Sequence, residues 1–177
     1  MNGRIPGDVV EALCGAVGHV VVNWAFVEVA VDTCIATIYQ NAGGKHIERE
    51  IPSAIGRKVK FLRRCIKQIG ALSLYRTEGD QLLNRVNAVK DTRHMLVHGC
   101  VTGYERENHA FTFAKMDTIN NRTRHKLNPS KFTAQQILDD GTECQTLARD
   151  LTRFSQRLFE AFPSEDELNN GPSTIGG

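Results

Sequence analysis

Residues 8 to 41 contain no proline and are apolar on nearly every side. A helix of that length and pattern must be covered, by its own domain and by a partner as well, because no single apolar stripe faces one core. Asp8 is placed to cap its start, and Gly43-Gly44 ends it. The most apolar part, Ala12 to Val27, is broken by His19 and Asn23, whereas a bilayer span needs about 20 apolar residues. Residues 1 to 8 carry one arginine and no cleavage pattern. The expectation is a buried helix in a soluble, cytoplasmic protein with no membrane partner.

The rest of the chain predicts three more helices. Ser53 is placed to cap a second, running to about Gly70, and a third spans roughly Glu78 to His98 before Gly99. Thr133-Ala-Gln-Gln136 has the form of a capping box opening a last helix to Phe162, with a break expected at Gly141. Between the third and fourth helices Phe111 and Phe113 alternate with polar neighbours, which predicts a small β-hairpin insert over about 100–117, and residues 117 to 132 read as loop. The expected fold is therefore all-α: one antiparallel bundle of about four helices over residues 1–162, followed by a polar, disordered tail at 163–177.

With 41% apolar and 24% charged residues the chain is neither a wholly disordered chain nor a stapled miniprotein. Five scattered cysteines without a C-x-x-C pair read as reduced, mostly buried thiols. The net charge is only +2, so any affinity for nucleic acid must come from local patterning. Helix two supplies such a pattern. Its apolar residues Ile55, Val59, Phe61, Leu62, Cys65, Ile66 and Ile69 fill one arc, and Arg57, Lys60, Arg63, Arg64 and Lys67 fill the other, a candidate phosphate-tracking face for RNA. Arg122, Arg124, His125 and Lys126 form a second basic cluster.

Helix three holds the least ordinary residue. Projected at 100° per residue from Leu82, the side chains of Val86, Val89, Leu96 and Val97 fall within about 60° of it, and Arg93 lands near 20°, inside this core face. A guanidinium there must meet a carboxylate or a bound anion, or snorkel to the surface. His98 lies about 140° round from Arg93 at the helix end, where it either caps carbonyls or carries a proton near neutral pH. A dimer with two copies of helix three would bring the two groups together. His94 and His98 have zinc-compatible spacing but no evident third ligand, with His109, His125, Glu28 and Asp32 the candidates; no metal or other cofactor is expected. Glu28 and Asp32, four apart on helix one, are the carboxylates that can pair with Arg93 or orient a histidine.

The stretch Asp91-Thr-Arg-His-Met-Leu-Val-His98-Gly resembles the signature of HEPN domains, the higher eukaryote and prokaryote nucleotide-binding family, and Trp24-Ala-Phe-Val-Glu28 resembles the first helix of its bacterial members. The resemblance covers roughly residues 8 to 162. His94 stands where the family most often has Asn or Asp. It implies an all-α homodimer and a metal-independent endoribonuclease of toxin–antitoxin, defence or RNA-processing type, with a neutralising antitoxin-like protein as a further partner. His98 would then act as general base or acid, Arg93 would stabilise the phosphorane-like transition state, His94 would orient the phosphate or His98, and Glu28 would hold the motif in place. The alternatives are a non-catalytic nucleotide- or RNA-binding or protein-interaction module, and a zinc hydrolase using His94 and His98.

Overall fold

The computed structural model describes residues 5–119 and 124–164. Four long helices dominate: α1 (Gly7–Asn41), α2 (Ile55–Gln68), α3 (Arg76–His98) and α4 (Ala134–Ala161), with short 3-10 turns at Gly44–His46 and Gly70–Tyr75. The fold is mostly helical but not all-α. After α3 the chain forms three strands, β1 (Cys100–Glu105), β2 (Ala110–Ile119) and β3 (Arg124–Thr133), paired antiparallel in the order β1-β2-β3. The expected hairpin is present as β1 and β2, and β3 extends it to a three-stranded meander. Of the segment expected as loop, 117–119 ends β2 and 124–132 belongs to β3, while 120–123, with Asn120 and Asn121, lie outside the described residues. Pro129, which argued for a loop, sits in β3 opposite Ala114, and β3 is an edge strand, where a residue without an N–H costs no ladder bond on its open side.

Helix ends differ in detail from expectation. α1 begins at Gly7, so Asp8 lies within its first turn, where a carboxylate complements the helix dipole. The cap of α2 is Ala54 and not Ser53, and the Ala54 carbonyl accepts from the Arg57 and Lys58 N–H groups, both at 2.9 Å. At α4 the capping box forms in both directions: the Gln136 N–H donates to Thr133 Oγ1 at 3.1 Å, and the Thr133 N–H donates to Gln136 Oε1 at 2.8 Å. The tail from residue 165 lies outside the described residues.

The described residues divide into two compact units, one within residues 1–26 and 88–146 and the other within 27–87 and 147–177. In the first, Leu13, Ala16 and Val20 of α1, Met95 and Leu96 of α3, Phe111 and Phe113 of β2 and Ile137 of α4 form one buried cluster. In the second, the apolar arc of α2 (Val59, Phe61, Leu62, Cys65 and Ile66) is buried, as are Ile35 and Ile38 of α1, Leu83 and Val86 of α3, and Leu151 and Leu158 of α4. Each fully buried side chain of this size contributes about 1.5–3 kcal/mol. An Arg85–Asp150 ion pair at 2.7 Å ties α3 to α4 in this unit.

α1 has the length and apolarity of a membrane span, with a mean hydropathy of 1.6 in its most apolar stretch, of which 39% is buried within the chain. Its interior polar groups satisfy one another: the Asn23 amide donates to the His19 carbonyl at 2.9 Å and stands 3.2 Å from His19 Nδ1. Val22, Phe26 and Val29 are 58%, 60% and 63% exposed and lie along one face of the helix.

α4 runs without a break at Gly141. That glycine admits the His19 ring, and a Cβ there would stand 2.3 Å from His19 Cδ2 and 3.1 Å from Cγ. Gly141→Ala is therefore expected to destabilise the protein, because overpacking costs about 1–3 kcal/mol against a helix-propensity gain of at most about 1 kcal/mol. Gly56→Ala, whose Cβ meets nothing within 4 Å, is expected to be neutral or stabilising. Thermal melts of the two variants beside wild type check the contrast.

Candidate functional site

The first unit places the sequence-marked residues on two sides of the last turns of α3. On one side, Arg93 sits on the core face, as its helical angle requires. Its guanidinium carbon lies 6.0 Å from the ring centroid of Trp24, which is fully buried on α1. The charge is thus accommodated over an aromatic face, and no carboxylate among the described residues pairs with it. Two donors here, Arg93 Nε and Trp24 Nε1, are buried and have no acceptor among the described residues. Buried N–H groups are rarely left so, and each costs about 1–3 kcal/mol.

On the other side stand His94 and His98, both exposed, with ring centroids 4.7 Å apart. The His94 pKa is lowered, first by desolvation and then by the positive charges of Lys115, His98 and Arg93, so its imidazole is neutral at physiological pH. Gly99 follows at once. A Cβ there would lie 2.5 Å from the Met95 carbonyl and 3.4 Å from that of Ala114, so only glycine lets the chain turn out of α3 into β1.

The sheet builds the opposite wall. Side chains of alternate residues share a face, and on β2 that face begins with Phe111 and Phe113 in the core and continues as Lys115 and Asp117. Cross-strand pairing sets Phe132 opposite Phe111, Ser130 opposite Phe113 and Asn128 opposite Lys115. These residues of β2 and β3, from Lys115 and Asp117 to Phe132, face Asp91, Thr92, His94 and Met95 of α3 across a groove of about 410 Å³. Within it Lys115 Nζ lies 2.7 Å from Asp117 Oδ1, and Asn128 Nδ2 donates to Asp117 Oδ2 at 3.1 Å. Both contacts hold the Asp117 carboxyl below its usual range. Thr92 is engaged by the Asp140 carboxylate of α4, whose pKa burial raises.

The sheet also explains two departures from the helical projection. Val97, expected in the core, is 40% exposed, whereas Met95, which projects away from the Leu82 face, is buried because the sheet covers it. No helical period marks Lys115, Asp117 or Asn128 as site residues; the only sequence signal was the strand alternation that begins at Phe111.

Other marked residues lie elsewhere. Glu28 is half-buried on α1 in the second unit, and Asp32 pairs with Lys58 at 2.6 Å. On α2, also in the second unit, Arg57 lies 3.6 Å from Glu48 and Arg64 pairs with the same carboxylate. Arg63 donates to the Asn84 side chain, and Lys60 and Lys67 are exposed. The basic face is thus partly neutralised by Glu48, a residue outside the helix. Of the second cluster Lys126 is exposed on β3, while Arg122 and the side chains of Arg124 and His125 lie outside the described residues. His109 occupies the β1–β2 turn with φ 47°, its Nδ1 2.9 Å from the Tyr104 hydroxyl. Among the described residues no three His, Cys, Asp or Glu side chains gather as a metal-binding group. Cys34, Cys65 and Cys144 are buried thiols pushed up to about 12, 11 and 11 respectively, which keeps them protonated and unreactive.

Comparison of the chain with family models, curated proteins and solved structures finds no match in any of the three.

The charges around His94 make opposite predictions for two variants. Lys115→Met removes a cation and is expected to raise the His94 pKa, while Asp117→Asn removes the one carboxylate that favours its protonation and is expected to lower it further. Histidine ring-proton NMR titrations read both shifts. Because the folded His94 takes up a proton less readily than the unfolded chain, its contribution makes stability fall as pH drops below about 6.5.

Proposed function

We propose that the chain is a homodimeric, metal-independent endoribonuclease of HEPN type, built as an antiparallel helical bundle carrying the sheet as an insert. The observation that carries this reading is an Arg93 guanidinium held over the buried Trp24 ring, with no carboxylate partner among the described residues, a turn before His98 at the end of α3. Because Nε is closed to solvent, the terminal N–H groups of this guanidinium, set in place by the aromatic face, are the donors for the oxygens of a pentavalent phosphorane in this reading.

In the proposed reaction the 2′-oxygen of a ribose attacks the adjacent phosphorus, its proton passing to His98. The bond from phosphorus to the 5′-oxygen breaks, and that oxygen takes a proton from the His98 of a second copy. The products are a 2′,3′-cyclic phosphate and a 5′-hydroxyl, and no metal takes part. Neutral His94 orients the phosphate or the neighbouring His98 by hydrogen bonding. Glu28, in the other unit, is assigned no part in this step. Lys60 and Lys67, with Arg57 and Arg64 about Glu48 and Arg63 beside them, supply a salt-sensitive attraction for RNA phosphates.

In this reading the second copy packs on α1. The Val22, Phe26 and Val29 face is apolar, and the exposed Gly15 and Gly18 on the same helix permit close backbone approach. Five free cysteines accord with a cytoplasmic protein, and the same reading makes it a toxin or defence component with a neutralising antitoxin-like partner. One observation favours a non-catalytic RNA-binding module instead: Arg93 and His98 leave α3 on different faces, so a single chain does not bring them to one phosphate.

The test is incubation of the purified chain with mixed RNA in excess EDTA, beside Arg93→Ala and His98→Ala variants whose folding is checked by circular dichroism. Cleavage that persists in EDTA, leaves cyclic phosphate ends and falls about 10²–10⁴-fold in each variant is expected. Full activity of His98→Ala, or loss of cleavage in EDTA, overturns the mechanism, and binding without cleavage selects the module. Sedimentation is expected to show a dimer at micromolar concentration that Phe26→Asp dissociates; a strict monomer removes the composite cleft.

A further inference from the structure

The groove between α3 and the β2–β3 face is used only in part by the reaction above. His94 belongs to the motif, but Lys115, Asp117, Asn128 and Phe132 have no role in it. Charge decides what the groove can hold. Among the described residues lining it, Lys115 is the one cation, and it is already bound to Asp117; the exposed Asp91 is paired with Lys90 at 3.5 Å, and His94 is uncharged. With its one lining cation already paired, the groove offers no free positive charge to a phosphate and suits a neutral group rich in N–H donors.

The acceptor is already oriented. Lys115 holds Asp117 Oδ1 and Asn128 holds Oδ2, and each oxygen keeps a second lone pair for a ligand. Two parallel acceptors a carboxylate apart match the adjacent N1–H and N2–H donors of guanine. Adenine and cytosine offer one exocyclic amine beside a ring acceptor, and the single N–H of uracil is flanked by two carbonyls that the carboxylate would repel. Phe132 and Met95 supply the apolar wall against which a base packs, and about 410 Å³ lies within the usual range for small-molecule sites.

We propose that this groove is a guanine-reading subsite, with Asp117 accepting the N1–H and N2–H of a base next to the cleaved phosphate. The position along the RNA rests on the ribonuclease reading, and the binding itself does not. The face that leaves the core as Phe111 and Phe113 thus becomes a recognition surface where it passes α3.

Calorimetric titration of the full chain with 5′-GMP, AMP, CMP, UMP and arginine amide, in wild type and in Asp117→Asn, tests it directly. GMP is expected to bind roughly tenfold or more tightly than the other nucleotides, and Asp117→Asn, which puts an amide donor where the carboxylate accepts, is expected to abolish the preference. Equal affinities for the four nucleotides, a preference unchanged in Asp117→Asn, or arginine amide binding in place of GMP overturns the proposal. Selective GMP binding by a chain that cleaves no RNA sustains the subsite and removes the ribonuclease reading. Cleavage indifferent to neighbouring guanine and to Asp117→Asn removes the placement of that base beside the cleaved phosphate and leaves the ribonuclease reading standing.

Discussion

The guanidinium of Arg93 lies on the core face of α3 over the buried indole of Trp24, and this placement fixes which side of α3 its other polar residues take. A cation at this position cannot be dehydrated without some compensation, and the aromatic face provides part of it, worth about 0.5–2 kcal/mol. Part is not provided, since Nε of the arginine and Nε1 of the tryptophan lack acceptors among the described residues. An apolar residue would pack there at lower cost.

With Arg93 fixed inward, the helical angle turns His94 and Asp91 toward the other side of α3, and there the sheet closes over them. β2 serves two ends with one face: Phe111 and Phe113 are core, and two and four residues beyond Phe113 the same face presents Lys115 and Asp117. The change from apolar to charged along a strand marks where the sheet leaves the core and a groove opens. The lowered His94 pKa belongs to this wall, because after desolvation the first charge acting on it is that of Lys115, contributed by the strand. The open edge beyond β3 carries Pro129, Lys126 and Lys131, features that discourage pairing with another strand.

Electrostatics in the second unit show why a net charge says little. α2 concentrates basic residues on the face opposite its apolar arc, yet Glu48 from the preceding segment serves both Arg57 and Arg64, and Asp32 of α1 holds Lys58. The exposed ammonium groups of Lys60 and Lys67 therefore weigh more in attracting an anion than the full basic count suggests.

The sequence by itself determined the features that depend on neighbours within a few turns. These include the capping box at Thr133 and Gln136, the buried arc of α2, the end of α1 before Gly43 and the inward position of Arg93, all consequences of helical geometry. It missed what depends on distant covering. The third strand was hidden by Asn128 and Pro129, which are turn formers unless the strand is an edge. Gly141 suggests a break in α4, but its bare side admits the His19 ring and the helix runs through it. Met95 is buried and Val97 exposed because helical period fixes the angle of a side chain and not which angles another element covers. For the same reason the tertiary structure alone decided that Lys115, Asp117 and Asn128, far from the α3 motif in sequence, share a groove with His94.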